Sequence, residues 1–142
     1  MDKEILEKKL DQLGVLIREL KVWLDCSFDE FQKDDLILRA AERNFQLIVD
    51  IGCAINTRLL LAKGMSTPET YKQSFTDMGK AGIVSIELAD RLAEGAKLRN
   101  ILVHEYDFVE SDEKFYESAK KLLPAYEEYA RAIYAHIEKK TD

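Results

Sequence analysis

Apolar residues recur along this chain at steps of three and four. Leu6, Leu10, Leu13, Ile17, Leu20 and Leu24 form the first series, and Asp2 stands just before it with a carboxylate able to cap a helix over about residues 3–24. Ser27 and Glu30 have capping-box spacing and open a short turn. A second series, from Leu38 and Ala41 through Phe45, Ile48, Gly52 and Ile55 to Leu59 and Ala62, starts after Asp34 or Asp35 and runs about seven turns to Gly64, a helix stop. Thr67 before Pro68 predicts a short helix over about 68–78, with Tyr71 and Phe75 turned to the core. Gly79 and Gly82 bracket a turn, after which a further helix extends from Ile83 to about His104. Ser111, with Asp112 and Glu113 behind it, caps a last helix whose stripe is Phe115, Ala119, Leu122, Tyr126, Tyr129 and Ile133. No stretch alternates with period two and no unit repeats. The chain is therefore expected to be all-α, an antiparallel four- to five-helix bundle with one short inserted helix, forming a single domain over residues 1–142.

Small residues interrupt two of these stripes. Gly52 costs about 1 kcal/mol of helix propensity relative to Ala, and the expected compensation is close approach of a neighbouring helix. Ala89, Ala93, Gly95 and Ala96 make the helix before His104 unusually thin, so that a partner helix can come close to where Arg99 and Asn100 emerge.

Composition narrows the function. The formal charge of −6 lacks the broad basic field of a general nucleic-acid binder, so any contact with RNA has to be local. Arg39 and Arg43, one turn apart with Glu42 between them, are either an intrahelical charge cluster or such a local basic patch for RNA phosphates. No apolar run approaches the roughly 20 residues of a membrane span and the N-terminus has no signal-peptide core, so the cytoplasm is expected and no membrane partner. Cys26 and Cys53 stand apart, without a CxxC or His-rich companion, and are expected as reduced thiols. The chain has no phosphate-cradling glycine loop, no HExxH and no Ser-His-Asp order, so no metal and no cofactor are expected.

Chemistry concentrates near the end of the fifth predicted segment. Arg99 shares a packing stripe with Leu88, Leu92, Gly95, Leu102 and Tyr106, where a cation is anomalous. A lone Arg in such a stripe is ordinarily structural and paired with a carboxylate, for which Glu42 is a candidate. Its neighbours favour a site. Asn100 and His104 are four apart and share the adjoining face, and Tyr106 returns to the side of Arg99. Arg99 and His104, however, are about 140° apart around an ideal helix. They meet on one substrate only through long side chains, a frayed helix end, or a second copy of the motif, and the last predicts a homodimer. His136, near the C-terminus and favourably placed for the helix dipole, is read as structural.

At Arg99-Asn100-Ile101-Leu102-Val103-His104-Glu105-Tyr106 the chain resembles the HEPN superfamily and, within it, the HepT-like toxin family. That family's signature is Arg, four to six intervening residues, then His, with a polar residue after the Arg and a Tyr two places after the His. The resemblance extends through Arg39-Ala40-Ala41-Glu42-Arg43, Asp50, Tyr71 and Phe75 and covers most of the chain. It implies a metal-independent endoribonuclease acting as the toxin of a two-gene system, with the motifs of two subunits meeting across a dimer interface. It further implies a minimal nucleotidyltransferase antitoxin that adenylylates the motif tyrosine, here Tyr106. The same residues have a second use in such systems: a non-catalytic binding partner of the nucleotidyltransferase, docked through Arg99, Asn100 and Tyr106. In the enzyme, His104 serves as general base or acid, Arg99 stabilises charge on the phosphoryl oxygens and Asn100 orients His104 or the phosphate.

Overall fold

The computed structural model describes residues 2–104 and 112–139. Helix α1 (Lys3–Leu24) begins where Asp2 accepts a hydrogen bond from the Ile5 amide, and α2 (Phe28–Lys33) begins with the Ser27 hydroxyl accepting from Glu30. Asp34 caps α3 (Asp35–Ala62) by accepting from both Leu36 and Ile37, and Gly64 leaves that helix at a φ of 80°. Next come α4 (Tyr71–Lys80), α5 (Ile86–His104) and α6 (Asp112–Lys139). All six helices of the described residues follow apolar stripes, and α2 and α4 are the two short ones. The turn expected at Ser27 is thus a helix in its own right, which raises the expected count.

Two boundaries differ from the sequence pattern, and both differences are local chemistry. Thr70, not Thr67, caps α4. Its hydroxyl accepts from the Gln73 amide while the Gln73 side chain accepts from Glu69, a nearly reciprocal cap that Thr-x-x-Gln spacing supports and Thr67-Pro68 cannot match. Helix α5 likewise starts at Ile86 rather than Ile83, because the Ser85 hydroxyl accepts from Leu88. Gly79, expected in a turn, lies inside α4. A Cβ there would stand 2.8 Å from that of Ala89, so Gly79 marks where α4 and α5 cross. The turn itself uses Gly82, at a φ of 73°. The expected cap Ser111 lies outside the described residues.

Helix α1 packs on α3 and α6, α5 packs on α6 and α4, and α4 is wedged between α3 and α5. Pairings such as Lys3–Glu138 and Lys21–Glu127 run α1 against α6 in opposite directions, and Arg91–Glu128 followed by Gly95 on Tyr126 does the same for α5 and α6. The fold is an antiparallel all-α bundle. Its centre is aromatic: Phe45, Phe75, Phe115, Tyr126 and Tyr129 are fully buried, with Phe45 and Phe75 edge-on to Tyr126. Helix α3 supplies much of this core. An 18-residue window of it reaches a mean hydropathy of 1.4, which by length and composition alone would suit a membrane span and departs from the sequence expectation. Within the bundle, however, its apolar stripe from Leu38 to Leu60 is the packed interior.

The two costly glycines receive large side chains. A Cβ on Gly52 would lie 2.9 Å from the Phe75 ring, and one on Gly95 would lie 2.0 Å from the Tyr126 hydroxyl. Tyr126 uses the space at Gly95 to donate to the Leu92 carbonyl at 3.1 Å. Ala89, Ala93 and Ala96 are buried too, so the thin face of α5 is occupied by the chain's own α4 and α6. The close partner helix expected from those alanines therefore belongs to the same chain, and this face is not open to a second subunit.

Gly95→Ala is accordingly expected to destabilise the fold by about 1–3 kcal/mol, through overpacking and loss of the Tyr126 hydrogen bond. Gly14→Ala, where a Cβ meets only the flexible end of Arg18, is expected to stabilise it by up to about 1 kcal/mol. Urea unfolding of the two variants beside the parent checks both signs.

Candidate active site

Arg99 leaves the last two turns of α5 and points at α3 and α4. Its Nε donates to Asp50 Oδ1 at 2.9 Å, Nη2 donates to the Tyr71 hydroxyl at 3.2 Å, and Nη1 donates to Asn100 Oδ1 at 3.3 Å. The guanidinium also lies over the Tyr71 ring, 4.3 Å from its centroid. With 16% of its side chain exposed, Arg99 is held in place by its neighbours. Of the five N–H groups of a guanidinium, these bonds leave one on each Nη for a ligand. The carboxylate partner is Asp50, not Glu42. Glu42 is taken by Arg39, at 2.8 Å within the same helix.

Tyr71 is itself positioned from behind. Its backbone carbonyl accepts from Ser74, whose hydroxyl accepts from Asn56 Nδ2 at 3.1 Å, and Asn56 Oδ1 accepts from the Tyr129 hydroxyl at 2.6 Å. Ser74, Asn56 and Tyr129 are completely buried, and Tyr129 also reaches the Gly52 carbonyl at 3.0 Å. Among the described residues no buried side-chain nitrogen or oxygen lacks a partner. A satisfied polar chain therefore ties α6, α3 and α4 together and ends under the ring that carries Arg99. Burial pushes the Tyr71 phenol above its ordinary range, with Asp50 adding to the rise and Arg99 opposing it, so Tyr71 stays a neutral donor and acceptor at pH 7.

His104 ends α5 on the exposed side, and no hydrogen bond among the described residues joins it to Arg99 or Asn100. The two motif residues thus diverge within one copy, as their spacing anticipates. Asn100 directs its carbonyl oxygen to Arg99 rather than to His104. Tyr106 lies outside the described residues. Arg39 and Arg43 are on α3, where Arg39 pairs with Glu42 and Arg43 donates to Gln46 at 3.2 Å. The hydrogen bond that Arg39 donates to Glu42, assisted by the fields of Glu42, Asp35 and Asp112, raises the Arg39 pKa further, so the guanidinium stays charged with an acid already beside it. Cys26 and Cys53 are free thiols, and among the described residues no three His, Cys, Asp or Glu side chains converge on a common point.

Asp50 and Tyr71 are the partners that motif reasoning leaves out of the site. Periodicity turns Tyr71 to the core without marking it as a partner of Arg99, and it gives no sign of Asp50, a partly buried polar position on α3. The family resemblance includes both.

The model of the ribonuclease HepT-like family matches residues 13–133. A curated relative, the tRNA nuclease HepT of Aphanizomenon flos-aquae (strain 2012/KM1/D3), is 30% identical over 133 residues, which are 94% of this chain and 90% of the relative. Among solved structures, the tri-AMPylated HEPN toxin of Shewanella oneidensis in complex with an MNT antitoxin superposes with a TM-score of 0.81 at 20% identity, covering 95% of this chain and 99% of that one. YutE of Bacillus subtilis, described as a cytosolic protein of unknown function, also reaches 0.81, at 18% identity over 99% of this chain and 93% of its own. These two likenesses are of fold. The family match and the nuclease relative both extend across the Arg99–His104 motif and the helices that hold it, and the chain belongs to the ribonuclease HepT-like family.

Proposed function

We propose that this protein is the metal-independent endoribonuclease toxin of a two-gene toxin–antitoxin system, working in the cytoplasm and neutralised by a nucleotidyltransferase that adenylylates Tyr106. The observation that carries the reading is the state of Arg99. A guanidinium fixed by Asp50, Tyr71 and Asn100, largely removed from water and still owning an N–H on each Nη, is prepared to receive two phosphoryl oxygens. A merely structural Arg would have little use for the unpaired half of its fork. Family membership and the relative named as a tRNA nuclease support the same chemistry.

In this mechanism His104 removes the proton of a ribose 2′-hydroxyl, whose oxygen attacks the adjacent phosphorus. The bond from phosphorus to the 5′-oxygen breaks, a 2′,3′-cyclic phosphate forms, and the leaving oxygen takes a proton from an imidazolium. Arg99 binds the oxygens on which charge accumulates. Because Arg99 points towards α3 and α4 while His104 ends on the exposed side, the complete site takes Arg99 of one copy and His104 of another, in a homodimer. Asn100 orients the guanidinium through its carbonyl oxygen. An AMP on Tyr106 places a further phosphate and a base beside the motif and excludes RNA by charge and volume.

His104→Ala is expected to abolish cleavage in EDTA while leaving the melting temperature unchanged, since the side chain is exposed at a helix end. Arg99→Lys is expected to lower kcat by about 10²–10³, because Lys keeps a charge but loses the fork that grips both Asp50 and phosphate. Cleavage assays on purified protein free of its partner decide this. Absence of cleavage for every RNA class would turn the reading to a non-catalytic partner of the nucleotidyltransferase.

Light scattering at micromolar concentration is expected to return twice the 16.4 kDa chain mass. A monomer that still cleaves RNA would refute the shared site.

With a cognate nucleotidyltransferase, ATP and magnesium, AMP is expected on Tyr106 alone, with cleavage falling in proportion. Tyr126 and Tyr129 are buried completely, and burial raises their pKa values well above the ordinary tyrosine range. Tyr134, at 59% exposure, is the internal control for mere accessibility. Peptide mapping that finds AMP on Tyr134, or inhibition that persists in Tyr106→Phe, would replace covalent control by occlusion.

A further inference from the structure

Arg99 accounts for one face of α5, and a different face leads to His104. Lys97, Ile101 and His104 follow one another at steps of four and three, so they form one ridge of the helix. Opposite them on α6, Lys114, Ser118 and Lys121 are spaced in the same way. The helices run antiparallel, and between the ridges lies a groove of about 190 Å³ lined by Lys97, Ile101, Lys114, Ser118, Lys121 and Leu122, with Leu98 in its floor and Glu94 at its far end. Lys97, Lys114 and Lys121 are exposed, while Leu98 and Leu122 are buried below them.

We propose that this α5–α6 groove is the track that holds the substrate strand, with Lys97 and Lys121 binding phosphates of single-stranded RNA on one side of the bond that His104 attacks. Three observations carry the proposal, which rests on the endoribonuclease reading above. The first is charge: in a chain of net charge −6, three of the groove's four ionisable side chains are lysines. Among the described residues Lys97 and Lys121 form no ion pair, whereas on other faces cations such as Arg39, Lys8 and Lys33 pair with Glu42, Glu4 and Glu30. The second is continuity: Lys97 precedes His104 by seven residues on the same ridge, about 10 Å along the helix, so a strand lying in the groove arrives at the imidazole. The third is the floor. Half-buried Ile101, with Leu98 and Leu122 beneath it, gives ribose and base an apolar floor under a polar rim, an arrangement suited to an unpaired strand and without use for a duplex, whose bases are stacked inside. Glu94, one turn beyond Lys97 and away from His104, repels phosphate and ends the track.

The groove replaces Arg39 and Arg43 as the principal site for phosphate. Those arginines are on α3, and Arg39 already has a carboxylate.

The test uses the full chain and a single-stranded RNA carrying 2′-O-methyl groups throughout, which binds but has no nucleophile to be cut. Lys97→Gln/Lys121→Gln is expected to raise Kd at least tenfold near 0.1 M salt and to reduce the slope of log K against log salt by about 1.4, or about 0.7 for each single-strand phosphate no longer neutralised by a lysine. With cleavable RNA the same pair is expected to raise KM more than it lowers kcat. Lys8→Gln/Lys9→Gln on α1 and Arg39→Gln/Arg43→Gln on α3 serve as comparisons of equal charge change. An unchanged Kd and slope in the groove variant, or an equal loss in either comparison variant, overturns the track even while the parent cuts RNA. A parent that neither binds nor cuts RNA overturns the endoribonuclease reading as well, so the two failures are distinguishable.

Discussion

The fit of aromatic rings into two glycine gaps, Tyr126 at Gly95 and Phe75 at Gly52, holds the rest of this structure in place. Tyr126 fills the space over Gly95 on α5, and Tyr129 reaches the Gly52 carbonyl on α3, so that α6 is locked against both of these neighbours by side chains that are wholly buried. A phenol buries a large apolar body but leaves a hydroxyl that requires a partner. Removing a Cβ from the facing helix provides both the room and a backbone carbonyl. The propensity lost at Gly52 and Gly95, about 1 kcal/mol each, is offset by burial of whole aromatic rings.

The same fit transmits order to the chemistry. From Tyr129 the hydrogen bonds continue through Asn56 and Ser74 to the backbone of Tyr71, and the Tyr71 ring then supports Arg99. Each member is satisfied, so the chain specifies one arrangement of three helices rather than tolerating several. Asp50 completes the clamp from the side. A carboxylate beside a cation lowers the cation's net field, yet it orients the guanidinium so that the remaining N–H groups share one direction. Precise aim is worth more than raw charge to a group that has to match a transition state.

An acidic surface is compatible with ribonuclease chemistry because the cations are local. Several lysines and arginines of the surface sit within reach of a carboxylate on the next turn or the next helix, as in Lys21–Glu127 and Arg91–Glu128. At physiological salt, fields beyond about 8 Å are screened, and the net charge of −6 matters less at a groove than the side chains lining it. Helix α5 therefore divides its labour by face: Arg99 turns inward to its clamp, while the ridge that carries Lys97 runs beside α6 towards His104.

The sequence by itself determined what depends on neighbours three or four residues away. Capping by Asp2, Ser27 and Asp34, the long apolar stripes, the stop at Gly64 and the burial of Tyr126 and Tyr129 were all legible, because helical geometry turns short spacing into position. So was the divergence of Arg99 and His104. Tertiary structure decided which distant groups became partners. Glu42 and Asp50 were equally available to Arg99 by type, and only the packing of α5 against α3 selected a carboxylate 49 residues away while Glu42 turned to Arg39. The thin face of α5 read as a place for another helix without saying whose, and α4 and α6 of the same chain took it. The ridges carrying Lys97 on α5 and Lys114 and Lys121 on α6 likewise became a groove only when α6 folded back on α5, since periodicity is a property of one helix and a groove is a relation between two.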